Sequence, residues 1–208
     1  MRIIAGKYKG RRLKAFKGTR IRPTSDRVRE ALFSILGDKV RGSRVLDLFA
    51  GSGGLGLESL SRGADKVVFV EKASSAREII RDNITALSAE SSCEVIPGDY
   101  RNALRSLGNK NVSFDIIFVD PPYQDTENGA AENILSLILE SDTLRGDGLV
   151  VIEHSCRGKI NVPDSSWKII QFKRYGRTCL SIIGREEHGV EGSSREEEEI
   201  KIVPSALT

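Results

Sequence analysis

Cysteine and histidine are scarce in this chain of 208 residues. Its three cysteines, Cys93, Cys156 and Cys179, are odd in number, far apart and form no C-x-x-C pair. That pattern gives neither a disulfide framework nor a zinc site, so all three are read as buried free thiols in a reducing cytosol. The only histidines, His154 and His188, stand in no pattern that supports metal ligation or proton handling, and both are read as surface residues. No apolar run approaches the roughly 20 residues of a membrane helix. The N-terminus is basic but no apolar segment follows it, which argues against a secretory signal. These absences leave a cytoplasmic, metal-free chain, read as a monomer, of a length for one domain or one domain with a small appendage.

Charge is plentiful but unevenly spread. Residues 1–44 hold 14 Lys or Arg against three acids, while the whole chain nets only +3. A basic arm on a mildly acidic body points to a polyanionic partner. The candidate phosphate contacts are Arg11, Arg12, Arg20, Arg22 and Arg27. The far end is the opposite: residues 186–208 include Glu196-Glu197-Glu198-Glu199, show little apolar pattern and read as a disordered acidic tail.

Between these ends the hydrophobic pattern alternates. Residues 3–21 have a weak period of two, consistent with a small hairpin. Thr24 or Ser25 reads as a helix N-cap with Asp26 in the first turn. Val28, Ala31, Leu32, Ile35 and Leu36 follow at helical spacing, and Gly37 closes the helix. Val45 to Phe49, Val67 to Val70, Glu94 to Ile96, Phe114 to Val119 and Leu149 to Glu153 read as five strands. Helical patterns separate them, and Ser75 with Glu78 has the spacing of a capping box. Trp167 to Lys173 and Thr178 to Ile183 flank a turn and form a terminal antiparallel hairpin. The pattern predicts an α/β fold: a Rossmann-like, seven-stranded, mostly parallel sheet with helices on both faces and the last strand antiparallel. The expected units are a basic extension over 1–43, a catalytic domain over 44–185 and the tail.

Ligands of such sheets bind beyond the carboxyl ends of the strands. Four motifs fall on that rim. Gly51, Gly53 and Gly56 satisfy G-x-G-x-x-G after the first strand, and Glu71 stands about 20 residues on, at the end of the second. The glycines allow close backbone approach and the acid accepts from ribose hydroxyls, which suits any adenosine-bearing cofactor. Taken alone, the motif fits NAD as well as S-adenosylmethionine. Asp47, an acid inside an apolar strand, tilts the choice to S-adenosylmethionine, because it can orient the loop or pair with an ammonium. Asp99, after the third strand, can accept from an adenine amine. Asp120-Pro121-Pro122-Tyr123 ends the fourth strand. Its prolines fix φ and remove two N–H donors, so acceptors face outward beside an aromatic ring. That array suits the NH2 edge of a nucleobase.

The segments Met1-Arg2-Ile3-Ile4-Ala5-Gly6 and Gly10-Arg11-Arg12-Leu13 carry a resemblance, together with Asp47 to Gly56, Asp120 to Tyr123 and Arg22-Pro23-Thr24-Ser25-Asp26-Arg27-Val28-Arg29-Glu30-Ala31-Leu32-Phe33. The chain resembles the class I S-adenosylmethionine-dependent methyltransferases, and more closely the RsmD-type bacterial 16S ribosomal RNA guanine-N2 methyltransferases, from residue 1 to about 185. The resemblance implies that Asp120, Pro121, Pro122 and Tyr123 hold the target amine. It implies that Glu71 holds the ribose, Asp99 the adenine, and the loop at Gly51 the methionine end of the cofactor. Phe49, Ala50, Lys72, Tyr100 and Thr24 are assigned to the same cofactor site. The implied substrate is 16S ribosomal RNA within the assembled small subunit. DNA adenine-N6 methylation is the rival within methyltransferases. An NAD-dependent oxidoreductase and a non-catalytic RNA-binding module are the rivals outside them.

Overall fold

The computed structural model describes residues 1–16, 23–121, 129–156 and 160–185. Five helices and seven strands alternate along them: α1 (Pro23–Leu36), β1 (Arg44–Asp47), α2 (Gly54–Ser61), β2 (Lys66–Glu71), α3 (Ser74–Ala86), β3 (Cys93–Pro97), α4 (Tyr100–Asn109), β4 (Phe114–Val119), α5 (Ala130–Glu140), β5 (Leu144–Ser155), β6 (Lys168–Tyr175) and β7 (Thr178–Gly184). They form one seven-stranded sheet in the order β3-β2-β1-β4-β5-β7-β6. The first five strands are parallel to one another. Strand β7 runs antiparallel to both β5 and β6. This is the expected Rossmann-like class.

Alternation along each strand sorts the core into two layers. Val45, Val67, Phe69, Ile116, Phe118 and Val151 face one layer, with Leu32 and Phe33 of α1, Leu57 of α2 and Ile80 of α3. Leu46, Val68, Val70, Ile117, Val119 and Ile152 face the other, with Leu104 of α4 and Leu135 of α5. Helices therefore cover both faces, as a parallel sheet requires. The strand order reverses between β1 and β4, and there the chain splits after β1. The N–H of Leu48 donates to Phe118 O at 3.1 Å, while that of Ala50 donates to Val70 O at 3.1 Å. The divergence opens a crevice at the carboxyl end of the sheet.

Several local expectations are corrected. Among the described residues, the N-terminal hairpin is one antiparallel bridge, Arg2 with Arg12, closed by Ile3 N–H to Arg11 O at 3.0 Å and Leu13 N–H to Met1 O at 2.9 Å. Ile3 and Leu13 are buried in the first core layer, so this segment is held by packing rather than by a ladder. Thr24 and Ser25 lie inside α1, which already includes Pro23; the fixed φ of proline suits a first helical turn. The capping box at Ser75 and Glu78 does not form, because α3 begins two residues earlier, with Ala73 rather than Ser75 as its N-cap.

The two ends of β5 also differ from expectation. His154 is buried, not superficial: β7 pairs alongside β5 and turns it into an interior strand. Its Nε2 lies 2.9 Å from Ser181 Oγ, and burial lowers its pKa. Cys156 and Cys179 are not free thiols but a disulfide. The β6–β7 hairpin brings Cys179 beside His154, two residues before Cys156, with Cα atoms 5.2 Å apart. Sequence separation hid this pairing. Cys93 is the free thiol, and burial, reinforced by Glu90, pushes it up to about 12. No helix among the described residues is long and apolar enough to cross a membrane. His188 and the acidic tail lie outside those residues.

Candidate active site

The glycine loop joins β1 to α2 over the crevice. Gly51 and Gly53 adopt φ of +55° and +85°, the left-handed region that favours glycine. At Gly56 the reason is space: a Cβ would lie 2.3 Å from the Phe69 ring. The loop is braced from two strands. Gly51 N–H donates to Glu71 Oε2 at 2.9 Å, and Gly56 N–H donates to Asp47 Oδ2 at 3.2 Å. Glu71 also accepts from Ala73 N–H through Oε1 at 2.8 Å, which starts α3.

Asp47 is fully buried, and its Oδ1 has no hydrogen-bond partner. Burial raises its carboxyl to about 7, and the charges of Asp120 and Glu71 add to the rise. The N–H groups of Gly56 and Phe49 oppose it. An acid held in this state beside the glycine loop is a candidate functional group.

Asp99 caps α4 by accepting from Arg101 N–H at 2.9 Å. The Phe49 and Tyr100 rings meet with centroids 5.1 Å apart, joining the end of β1 to the start of α4. Lys72 is exposed beyond β2. Asp120 follows the last residue of β4, and Pro121 is buried behind it. Asp120 keeps an exposed surface, yet protein atoms crowd it closely enough for desolvation to raise its carboxyl to about 6. The open surface tempers that rise without reversing it. Pro122, Tyr123, Arg20 and Arg22 lie outside the described residues, as does the side chain of Thr24. Arg11, Arg12 and Arg27 are exposed.

Strand alternation aligns the acids. Phe69 and Phe118 flank Asp47 in the ladder and share its face. Glu71 and Asp120 stand two residues further on, so all three carboxylates turn to the layer under α1 to α3. Glu153 joins them by the same rule, two residues after Val151, and it went unassigned in the sequence reading. The signal was there: like Glu71 and Asp120, it is an acid closing an apolar run. Glu58 and Asn83 were missed too. Asn83 accepts from Lys14 N–H at 2.7 Å and donates to Lys14 O at 3.1 Å and Ser52 O at 3.0 Å, tying the N-terminal segment to the glycine loop. A buried Asn at i+3 from Ile80 on an apolar helix face was its only mark.

The arrangement fits an adenosine-bearing cation. Its acidic rim suits positive charge, the orphan oxygen of Asp47 offers an acceptor, and nothing lies within 4 Å of a Cβ built at Gly51.

Comparison with known proteins agrees. Residues 1–184 match the family described as Conserved hypothetical protein 95. The Bacillus subtilis (strain 168) protein YlbH is 38% identical over 184 residues, covering 88% of this chain and 97% of its own. Ribosomal RNA small subunit methyltransferase D of Haemophilus influenzae is 36% identical over 177 residues, covering 85% and 89%. The solved structure of yhhF from Escherichia coli superposes with a TM-score of 0.79 at 33% identity, covering 89% of this chain and 98% of that one. This chain belongs to the Conserved hypothetical protein 95 family, the RsmD-type methyltransferases.

Proposed function

We propose that this protein methylates 16S ribosomal RNA, transferring a methyl group from S-adenosylmethionine to the exocyclic N2 amine of a guanine in the small subunit. The observation that carries the reading is the placement of Asp120 just past the carboxyl end of β4, on the sheet face shared by Asp47 and Glu71, which brace the glycine loop. The name of the Haemophilus influenzae relative supports the RNA class. The guanine and its N2 rest on the family resemblance.

Bound there, S-adenosylmethionine would supply an electrophilic methyl group to the amine nitrogen, with its sulfur as the leaving group. The residues of this chain do the rest. An aromatic NH2 is a weak nucleophile because its lone pair is delocalised into the ring. The Asp120 carboxylate and the Pro121 carbonyl accept its two hydrogens, pyramidalise the nitrogen and aim the lone pair. Tyr123 would stack on the flipped base, a contact worth about 1–3 kcal/mol in single-strand sites. Asp120 or water takes the departing proton. Glu71, already fixed by Gly51 and Ala73, keeps lone pairs for ribose hydroxyls. Asp47, whose Oδ1 has no partner, would serve the cationic end of the cofactor, directly or through water. Phe49, Ala50, Gly51, Gly53, Gly56, Lys72, Asp99, Tyr100 and Thr24 are the further residues that the family resemblance assigns to the cofactor site. Positioning of this kind accounts for most of the rate.

The test uses small subunits from a strain lacking this gene, incubated with labelled cofactor and enzyme. Label should appear in one N2-methylguanosine, and duplex DNA should take none. Asp120→Ala should keep cofactor affinity and lose transfer by about 100-fold or more. Transfer at the wild-type rate would remove Asp120 from the chemistry.

A further inference from the structure

Glu153 ends the buried run of β5 and has no role in the scheme above. We propose that Glu153 is a positioning residue for Asp120: it holds the single proton of a carboxylate pair and donates it in a hydrogen bond to Asp120, so that Asp120 meets the amine as an ionised acceptor. The inference rests on the reading of Asp120 as the amine acceptor.

Register provides the geometry. In the parallel ladder Phe118 pairs with Val151 and Val119 with Ile152. One further step brings Asp120 level with Glu153, on strands about 4.8 Å apart. Phe118 and Val151 face the layer under α1, and both acids stand two residues beyond them, so they turn to the same side. On its other flank Glu153 pairs with Leu180 of β7, which is buried in that layer. The pair is thus walled by apolar strand on one side and open at the rim on the other.

Few other charges bear on the pair. Asp47 on β1 interacts with Asp120 and, from β2, with Glu71; all are acids and none offers a counter-charge. On α1, Asp26 and Arg29 engage each other, and Arg29 turns toward Glu58 of α2. The phenol of Tyr175, at the end of β6, packs on the same layer. Among the described residues, neither Asp120 nor Glu153 has a Lys or Arg within ion-pair distance. Two carboxylates so placed do not readily ionise together. Desolvation raises both, and the charge of Asp120 raises Glu153 further, to about 8. Glu153 is half-buried and Asp120 exposed, so the one proton rests on Glu153.

The consequence is a division of labour. One oxygen of Asp120 accepts from Glu153 and is fixed, and the other is free for the amine hydrogen. After methyl transfer the amine proton passes to that free oxygen and on to bulk water, while Glu153 keeps its own proton throughout.

The test compares wild type, Glu153→Gln, Glu153→Ala and Asp120→Ala. The pH profile of kcat is measured, with KM for cofactor and for small subunits taken separately, and cofactor binding serves as the folding control. Wild-type kcat should fall above about pH 8, as Glu153 loses its proton. Glu153→Gln keeps a donor at every pH, so its kcat near pH 7 should stay within a few-fold of wild type and the alkaline fall should vanish. Glu153→Ala should lower kcat about 10-fold to 100-fold with the cofactor KM unchanged. An alkaline fall in Glu153→Gln identical to wild type overturns the proposal, even if Glu153→Ala fails to fold. So does an unchanged kcat in Glu153→Ala. If Asp120→Ala is inactive while the Glu153 variants match wild type, this inference fails and the reading of Asp120 stands. Wild-type transfer by Asp120→Ala overturns both.

Discussion

Asp47 concentrates the conflict between stability and function in a single side chain. An acid in the middle of a sheet is costly to ionise, and burial raises this one from 3.8 to about 7. A carboxyl whose folded pKa lies above its unfolded one stabilises the fold fully below the unfolded value. That contribution is lost as pH rises through the folded value. Asp47→Asn is neutral at every pH and can still accept from Gly56 N–H. It is expected to exceed wild type in stability at pH 8, by at most about 4 kcal/mol, with the gain shrinking steadily toward pH 4. Denaturant unfolding across that range checks the slope, and a pH-independent difference would contradict it. Cofactor affinity should move the opposite way, because the variant cannot offer a negative charge to a cationic ligand.

The basic N-terminal segment behaves, as an element, differently from its charge pattern. Arg29 was counted among the cations of a polyanion-binding arm, yet its guanidinium is buried. It donates to Arg2 O at 2.7 Å and Asp26 Oδ1 at 3.0 Å. Glu58, buried on α2, accepts from Ile4 N–H at 2.7 Å and Ala5 N–H at 3.0 Å and pairs with Arg62 at 2.8 Å. Together they fasten residues 1–14 to the helix that follows the glycine loop. Glu58→Ala would strand two backbone donors and a buried cation, a loss of about 3–5 kcal/mol. Limited proteolysis should then cut within residues 1–14 well before the rest of the chain, whereas wild type should resist. Equal cleavage of the two would show that packing of Ile3 and Leu13 suffices.

At the scale of the whole molecule, charge is divided between the clamp and the surface. With Arg29 turned inward, Arg11, Arg12 and Arg27 remain exposed among the described candidates for phosphate contact. Each neutralised contact should lower the salt slope of RNA binding by about 1. The Arg11→Ala/Arg12→Ala variant should therefore lose about 2 from that slope without a change in cofactor affinity. An unaltered slope would move the RNA surface elsewhere.

Period and punctuation along the chain were enough for the sheet, its helices on both faces and the antiparallel end. Runs such as Phe114 to Val119 bury on both sides, and local propensity and turn chemistry decide where they stop. The rim acids were legible for the same reason, since an acid ending an apolar strand is a local signal. Contacts between distant segments were not legible. The Cys156–Cys179 disulfide, the buried His154, the grip of Asn83 on Lys14 and the Glu58 clamp each join residues that only the folded chain brings together. Register sets which side chains stand level on neighbouring strands, and no single strand carries it. The sequence by itself therefore determined the layers, the glycine loop and the acids along the rim. Tertiary structure alone decided that Asp47, Glu71 and Asp120 share one face of the sheet and that Glu153 stands beside Asp120, because pairing fixes what periodicity leaves free.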